Sequence, residues 1–505
     1  MNKVLMTLVL VPVMALAGEL SPKCSPEAVA KYKEKADAGD AESQFHYARA
    51  LVNGDGGKKD LPLAFDYARK SAEQGCELSY RIVGSGYDFG WGGTTNALEA
   101  AFWYGKFLAW AKPAADKGDA WAQFQLGLCL EYGNGVRRDP AEAVKWYVKS
   151  AEAGCASAQY NLGLCYEFGR GVETNLVETV KWYRKAAEQD HASAQFRLGC
   201  CYTNAKGVQK DKDESVKWYR LSAAQGNNEA FCAMGWCYSK GWGVPVSEVE
   251  AVKWYRKAVD NGDARGLCEL AWSYENGRGV ATNQTEAARL YLLAANLGDV
   301  ESQCAIAERY SQGRGIEKNQ DEATKWYIKT AEQGEVWAMC QLWRRYFNGW
   351  DVEADPVEAV KWCRKGAENG HVAAYAKLCL CYIRGEGVET NLVEAARWYC
   401  KAAKSNPQTL LTGVWTSPYW SKDVDVQKAY DSFVALGDVI KCCNPSVKAH
   451  YEEEMKQLKG RIARIANRKS RVPRASSPNA QKPQTEAVKK PVKLVPRKSK
   501  MSRTN

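Results

Sequence analysis

The sequence predicts an all-α fold in which helix–turn–helix repeats stack into a solenoid. The first observation is a short signature, Lys-Trp-Tyr or a close variant, that recurs every 36 residues. Its eight copies begin at Lys145, Lys181, Lys217, Lys253, Arg289, Lys325, Lys361 and Arg397. A fixed period between about 20 and 50 residues is typical of solenoids, propellers and other repeat arrays.

The second observation is the pattern inside one repeat, residues 156–190. Over 156–166, small and large apolar residues recur at helical spacing and predict a first helix. The glycines of 169–171 predict a turn, because glycine adopts left-handed backbone without strain. Asn175 is a suitable N-cap for a second helix over about 177–189. Neither helix can bury its apolar face alone, so the repeats must stack.

The third observation is that single positions keep their residue type along the array. The second turn glycine recurs as Gly135, Gly171, Gly207, Gly243, Gly279, Gly315 and Gly387, and Asp351 is the exception. A glycine within the first helix, such as Gly163, is replaced by alanine at Ala271 and Ala307. The tryptophan of the signature is predicted to be part of the core, since a large apolar side chain at fixed helical spacing usually packs.

The consensus A-x-x-x-L-G-x-x-Y-x-x-G-x-G-V, followed by E-A-V-K-W-Y-x-K-A-A-E-x-G, resembles the Sel-1-like repeat, a relative of the tetratricopeptide repeat. The resemblance covers about 41–406 and comprises about ten repeats. It implies a right-handed superhelix of helix pairs that acts as a scaffold for protein complexes. It does not imply a reaction.

The N-terminus has the features of a secretory signal peptide, residues 1–17. Lys3 precedes an apolar stretch, 4–16, that is too short to span a bilayer comfortably. Ala15-Leu16-Ala17 fits a cleavage site. We therefore expect export to the periplasm or the medium, with a short N-terminal anchor as the alternative. No other stretch of the sequence is long and apolar enough to predict a transmembrane segment.

The start of the array is expected to be irregular. Residues 18–40 are predicted to form an N-terminal capping helix. The spacing between Trp103 and Trp146 is 43 residues rather than 36. The extra residues lie in 105–117, where they lengthen the second helix of that repeat or its exit loop. Such an insertion is either a binding feature or neutral drift.

The C-terminal part departs from the repeat pattern. Residues 407–445 fit it poorly, and 446–468 are predicted to form one helix. Residues 469–505 are predicted to be a disordered basic tail. Between 461 and 505 there are 14 Lys or Arg residues and one acid, Glu486, a net charge of +13. Since the whole chain carries +11, the remainder is close to neutral, at about −2.

Eighteen cysteines in an exported chain suggest disulfides, but many of them recur in columns. One column consists of Cys232, Cys268, Cys304 and Cys340, on first helices of successive repeats. Packed helices lie about 8–10 Å apart, whereas the Cα atoms of a disulfide lie within about 7 Å of each other. We therefore favour small buried apolar residues over bridges within a column. An intermolecular bridge through Cys442 and Cys443 is an alternative use of that pair.

The chemistry-bearing motifs expected of an enzyme or a metal site do not occur in the sequence. There is no H-E-x-x-H, C-x-x-C, G-x-S-x-G, S-x-x-K or Walker-type motif. The sequence therefore predicts no metal site, no cofactor and no catalytic residue.

The first functional hypothesis is a non-catalytic scaffold that binds a protein or peptide in a concave groove. Aligned on the tetratricopeptide pattern, the column of Leu164 faces this groove and changes chemistry along the array, whereas the column of Leu162 stays apolar. A position that faces a partner can vary, while a position that packs keeps its character. The predicted partner contacts are Trp236, Trp272, Glu308 and Arg344, with neutral drift as the alternative.

Two further hypotheses concern other classes of function. Cysteine-rich family members are described as penicillin-binding or β-lactamase-like enzymes, but this chain lacks S-x-x-K and the regular cysteine pairing of that branch. The basic tail would attach the protein to an envelope through an anionic polymer or lipid surface. Nucleic acid is the least expected partner of the tail, because the protein is predicted to be exported. The tail also does not interleave aromatic residues for base stacking.

Overall fold

The computed structural model describes residues 26–54, 59–349 and 352–405, together with the single positions 434, 452 and 456. Apart from these positions, the predicted signal peptide 1–17, segment 407–445, helix 446–468 and basic tail 469–505 lie outside the described residues, as do Cys442 and Cys443. The chain divides into two compact units, 1–369 and 370–505.

The described residues contain helices and turns and no strand, so the predicted all-α solenoid of helix pairs is confirmed. The first unit contains α1 Pro26–Asp37, α2 Ala41–Asn53, α3 Leu61–Glu73, α4 Tyr80–Phe89, α5 Ala97–Asp116, α6 Ala120–Tyr132, α7 Pro140–Glu152, α8 Ala156–Phe168, α9 Leu176–Ala187, α10 Ala192–Asn204, α11 Lys212–Ala224, α12 Asn228–Lys240, α13 Glu248–Asp260, α14 Ala264–Asn276, α15 Gln284–Asn296, α16 Val300–Gln312, α17 Gln320–Glu332, α18 Val336–Asn348 and α19 Pro356–Glu368. A 3₁₀ turn, Glu77–Ser79, precedes α4. The second unit contains α20 Val372–Arg384 and α21 Leu392–Ser405.

In the first unit, each even-numbered helix from α2 is the first helix of a repeat, and the next odd-numbered helix is its partner. Recurring caps fix their length. α8 ends at Gly169, which adopts left-handed backbone with φ of 68°. The side chain of Asn175 accepts hydrogen bonds from the backbone N–H groups of Val177 and Glu178, both at 3.1 Å, and so starts α9. The N-cap expected at Asn175 is therefore present.

The two helices of a repeat pack through a glycine and a tyrosine. Tyr183 on α9 is fully buried, and its ring lies against Gly163 on α8. A Cβ atom at 163 would be 2.5 Å from that ring. The Tyr183 hydroxyl donates a hydrogen bond to Glu167 at 2.8 Å. The same glycine–tyrosine contact recurs at Gly127–Tyr147, Gly199–Tyr219 and Gly235–Tyr255.

Neighbouring repeats pack through the tryptophan column and the turn. Trp182 on α9 belongs to the same buried cluster as Val144 and Tyr147 of the preceding repeat. The turn glycine Gly171 lies so close to the carbonyl oxygen of Pro140 that a Cβ atom would be 2.1 Å from it. The tryptophan therefore joins one repeat to the repeat before it, and the turn does the same through the backbone.

The tryptophans are part of the core, but less completely than the sequence indicates. Trp182, Trp218 and Trp362 are buried, whereas Trp146, Trp254 and Trp326 are half-buried. Each half-buried ring has a lysine amino group from the next helical turn over its face, at 4.0 to 4.7 Å from the ring centroid. Where a tyrosine follows the tryptophan, as at all of these positions except Trp362, the tyrosine is the more deeply buried of the two.

The insertion in the second repeat lengthens a helix. α5 has 20 residues, where the other second helices of the first unit have 12 or 13. Its additional turns place Phe107 and Ala111 against Cys129 of the next repeat. Of the two outcomes expected for 105–117, the longer second helix is the one observed.

Candidate protein-binding face

The four predicted contact residues occupy equivalent positions on successive first helices. Trp236 lies on α12, Trp272 on α14, Glu308 on α16 and Arg344 on α18. We call the solvent-facing side of α10, α12, α14, α16 and α18 the first-helix face. The residues two positions earlier form an unbroken buried row, which is Met234, Leu270, Ile306 and Leu342. Arg344 is exposed, and the other three predicted residues are half-buried.

The two tryptophans are partly covered by their own repeats. The Trp236 ring lies 5.7 Å from the ring of Trp242 in the following turn. The Trp272 ring lies under the guanidinium of Arg278, at 4.5 Å from the centroid. Both tryptophans also border buried clusters. Each therefore presents part of its ring to solvent, while the rest contributes to packing.

Glu308 and Arg344 place opposite charges on adjacent first helices. Glu308 is held by its own helix, since its Oε1 accepts a hydrogen bond from Nε2 of Gln312 at 2.7 Å. Arg344 is exposed one repeat further on. A partner can approach both groups, because neither is buried in the core.

The face also carries charged residues that the sequence reasoning missed. Arg265 and Glu269 lie on α14, and Glu301 lies on α16. Burial raises the pKa of the Glu269 carboxyl, Arg265 opposes this effect, and Glu301 adds to it. For Arg265, burial lowers the pKa, but Cys232, Glu269 and Glu301 outweigh it and the net shift is upward. These charges on neighbouring helices are therefore close enough to interact.

The sequence does contain a pattern that indicates these charged residues on the first-helix face. The prediction used a single column, that of Leu164, whereas a helix face comprises several columns three or four residues apart. The column of Ser157 also varies in chemistry, with Glu229, Arg265 and Glu301 in successive repeats. Ser157 itself is buried, but Glu229, Arg265 and Glu301 are exposed, and a fully buried position could not exchange Glu for Arg freely.

The column of cysteines runs along the same face. Cys232, Cys268 and Cys304 are free thiols on α12, α14 and α16. Burial, with added effects of Glu335 and Glu301, raises the pKa of Cys304 to about 12. Burial likewise raises the pKa of Cys268. These thiols stay protonated at neutral pH and are poor nucleophiles.

The described residues contain neither a metal-binding cluster nor a membrane-spanning helix. No group of three or more His, Cys, Asp or Glu residues among them is arranged to hold a metal ion. None of the helices described is both long enough and apolar enough to cross a membrane.

Comparison with known proteins identifies the repeat. The Sel1 repeat model matches ten segments: residues 41–76, 79–107, 122–155, 156–191, 192–227, 229–263, 264–299, 300–335, 337–371 and 372–407. No curated protein matches the chain.

Two solved structures are similar to the chain. One is a protective antigen of uropathogenic Escherichia coli with an SLR fold, at 28% identity, covering 90% of this chain and 99% of that one with a TM-score of 0.45. Another is a Sel1 repeat protein from Oxalobacter formigenes, at 34% identity, covering 46% of this chain and 93% of that one with a TM-score of 0.45. Because the ten matched segments make up most of the sequence, the chain belongs to the Sel1 repeat family, whose solenoid fold is typical of protein-interaction scaffolds.

Proposed function

We propose that the protein is an exported, non-catalytic scaffold that binds a protein or peptide partner on its first-helix face. The observation that carries the proposal is the contrast between neighbouring columns of the first helices. Met234, Leu270 and Ile306 are buried and apolar, whereas the positions two residues later hold Trp236, Trp272 and Glu308 and stay in contact with solvent. Packing restrains the first column and leaves the second free to recognise a partner.

The charges of the face support a partner that is recognised partly by electrostatics. Arg265, Glu269 and Glu301 interact across α14 and α16, and the half-buried Trp272 lies on the same helix as the first two. A mixture of partly exposed aromatic rings and charged groups is typical of protein interfaces. A folded domain or an amphipathic segment with complementary charges would contact both the charged groups and the aromatic rings.

The test uses charge reversal rather than removal of the tryptophans. Trp236 and Trp272 border the core, so their replacement by alanine would disturb the fold as well as the face. We expect the mature protein to capture a specific partner from an extract of its source. The variant Arg265→Glu with Arg344→Glu should capture markedly less of it. A partner retained at full level by this variant would rule out the first-helix face.

The chain offers a matched control on the opposite side of the repeats. Glu250 and Lys253 form an exposed ion pair on α13 at 2.6 Å. Lys253→Glu with Lys325→Glu, the equivalent exposed lysine of α17, shifts the net charge by the same amount as the test variant but away from the first-helix face. We expect this control to capture the partner as the unmodified protein does. Circular dichroism of all variants should show the same helix content.

Export is proposed from the sequence of residues 1–17. The apolar stretch and the Ala15-Leu16-Ala17 site support cleavage before Gly18. N-terminal sequencing of the native protein should begin at Gly18. An intact Met1 in a cytosolic fraction would refute this part of the proposal without affecting the binding face.

A second function, attachment to an anionic polymer or lipid surface, is favoured by the charge distribution. The net +13 over 461–505 is separate from the nearly neutral remainder of the chain. Binding through a polycationic segment weakens steeply as salt is added, because salt screens its attraction to anions. A chain that ends at Arg468 should lose adsorption to anionic vesicles and keep the protein partner. Equal adsorption by both forms would exclude the tail.

A further inference from the structure

The long helix α5 departs from a surface pattern that the seven second helices after it in the first unit, α7 to α19, share. In those helices a Glu at the third position pairs with a Lys or Arg at the sixth. The pairs include Glu142–Lys145, Glu178–Lys181, Glu214–Lys217, Glu250–Lys253, Glu286–Arg289, Glu322–Lys325 and Glu358–Lys361. In α5 the same two positions hold Glu99 and Phe102. The Phe102 side chain is 53% exposed, so an aromatic ring replaces the usual cation on the outer surface.

Phe102 belongs to a continuous exposed stripe along α5. The residues of the stripe are Leu98, Phe102, Gly105, Ala109, Lys112 and Asp116, all of which are exposed. They are spaced alternately by four and three residues, which is the spacing of a seam between two paired helices. Leu98 is 84% exposed. A Cβ atom at Gly105 would have no atom of the chain within 4 Å, so the space above this glycine is open. The Lys106 amino group lies 4.7 Å from the centroid of the Phe102 ring, which remains half exposed.

The opposite side of α5 holds the stripe in place. Phe107 and Ala111 are buried against Cys129 of the next repeat. Trp103 and Tyr104 are also buried. α5 therefore cannot rotate to hide Phe102, and the seven additional residues of this repeat serve to display a longer helical surface.

We propose that a second copy of this chain packs on α5, with the two α5 helices antiparallel about the segment from Gly105 to Ala109. Antiparallel pairing of a helix with itself produces a closed, two-fold symmetric dimer. In this register Gly105 of one protomer lies opposite Ala109 of its partner, and the small side chains let the backbones approach closely. Phe102 lies opposite Lys112, whose methylene groups and amino group suit an aromatic ring.

The charges of α5 also complement each other in this arrangement. Glu99 lies one turn from Phe102, within reach of Lys112 of the partner, and symmetry creates this ion pair twice. Asp116 comes opposite Leu98, at the N-terminus of the partner's helix, where a negative charge is favourable. A parallel arrangement would instead place Lys112 against Lys112 and Asp116 against Asp116. Charge complementarity therefore favours a second copy in the antiparallel orientation.

The contact area makes the expected dimer a weak one. One pair of helices buries less than the roughly 1,200–2,000 Å² of a stable interface. Dissociation should therefore be visible on dilution of the purified full-length protein. Sedimentation velocity across a dilution series should show a reversible monomer–dimer equilibrium. A chain that stays monomeric at every concentration overturns the proposal.

Two variants test whether α5 forms the interface. Phe102→Lys gives α5 the Glu–Lys pair found in α7 and the later second helices. Gly105→Gln replaces an exposed helical glycine with a better helix former, so the fold is retained while close approach is blocked. Each should weaken the dimer at least about tenfold, or 1.4 kcal/mol. Val249→Lys on α13 is the control, since this exposed apolar residue lies on a helix outside the proposed interface. A dimer that persists in both α5 variants overturns the proposal.

Charge reversal tests the orientation. Glu99→Lys alone and Lys112→Glu alone should each weaken the dimer, because each leaves like charges facing one another across the interface. The double variant Glu99→Lys, Lys112→Glu should regain the affinity of the unmodified chain. A double variant as weak as the single ones overturns the antiparallel pairing.

Discussion

Gly207 lies directly against the carbonyl oxygen of Leu176, the first residue of α9 in the preceding repeat. A Cβ atom at 207 would be 2.0 Å from this oxygen, and the φ angle of Gly207 is 68°. Two features therefore disfavour any other residue at position 207: its left-handed backbone and its contact with a backbone atom of the preceding repeat. The contact recurs one repeat later between Gly243 and Lys212.

Replacing Gly207 by alanine should destabilise the protein by more than about 2 kcal/mol, because left-handed alanine alone costs about 1–2 kcal/mol and the contact with Leu176 adds to it. Gly226 is the matched control. Its φ angle is 76°, but a Cβ atom there would meet nothing within 4 Å. Urea unfolding of Gly207→Ala and Gly226→Ala therefore separates the contact from the backbone strain. Equal losses would mean that the contact between repeats is unimportant.

Replacing Ala205 by glycine should stabilise the protein. It ends α10 with a φ angle of 55°, in the left-handed region. The equivalent cap is glycine at Gly133, Gly169, Gly241, Gly277 and Gly313. Ala205→Gly relieves this strain and should raise the free energy of unfolding by about 0.5–1 kcal/mol. Ala141→Gly, in the exposed first turn of α7, should instead lower the free energy of unfolding, since glycine weakens a right-handed helix. A loss of stability in Ala205→Gly would contradict the cap geometry.

Trp182 and Trp254 should differ in their contribution to stability. Trp182 is 6% exposed, so Trp182→Ala should cost about 3–5 kcal/mol as a large-to-small core substitution. Trp254 is half-buried, and part of its contact is the Lys257 amino group at 4.1 Å over its ring. Trp254→Ala should therefore cost clearly less, which revises the core role expected from its column. Chemical unfolding of the two variants compares them directly, and a larger loss at Trp254 would contradict the observed burial.

The buried thiols predict a loss of stability at alkaline pH. Burial raises the pKa of Cys165, Cys201 and Cys237 to about 12 in each case. In the unfolded chain the thiols lose their protons at a lower pH than in the folded protein. Unfolding therefore releases protons above about pH 8.5, and the free energy of unfolding falls as the pH rises further.

The measurement is the urea midpoint at neutral pH and at about pH 10, below the pKa of most lysines. Cys165→Ala should reduce the pH dependence of the urea midpoint by the contribution of one thiol. Mass spectrometry after alkylation at neutral pH should leave the three cysteines unmodified in the folded protein and modified in urea. A midpoint that does not change with pH, or rapid labelling of Cys201 in the folded state, would contradict the prediction.

The repeat period was sufficient to predict the helix pairs. The caps at Asn175 and Gly169 and the lengthened second repeat also follow from local sequence, because they depend on residue type and spacing. The relative burial of Trp182 and Tyr183 does not follow from local sequence. Adjacent residues point about 100° apart on a helix, and periodicity cannot tell which one meets the partner helix and which one meets the next repeat.

The candidate site was predicted less completely than the fold. Trp272 and Arg344 were predicted as partner contacts because one column was aligned on a related repeat, and they stay a prediction. Arg265 and Glu269 were missed because they occupy other columns of the same helix. Their interaction with Glu301 depends on how closely α14 and α16 stack, and a single sequence gives no measure of that distance.

The contact between a turn glycine and the start of the preceding second helix has an evolutionary consequence. Gly171, Gly207, Gly279 and Gly315 all meet the backbone of the previous repeat rather than a particular side chain. A duplicated or deleted 36-residue unit would thus rejoin its neighbours through the same junction, without compensating substitutions. Unequal recombination between the repeated gene segments would change the length of the array, and with it the extent of the first-helix face, in a single genetic event.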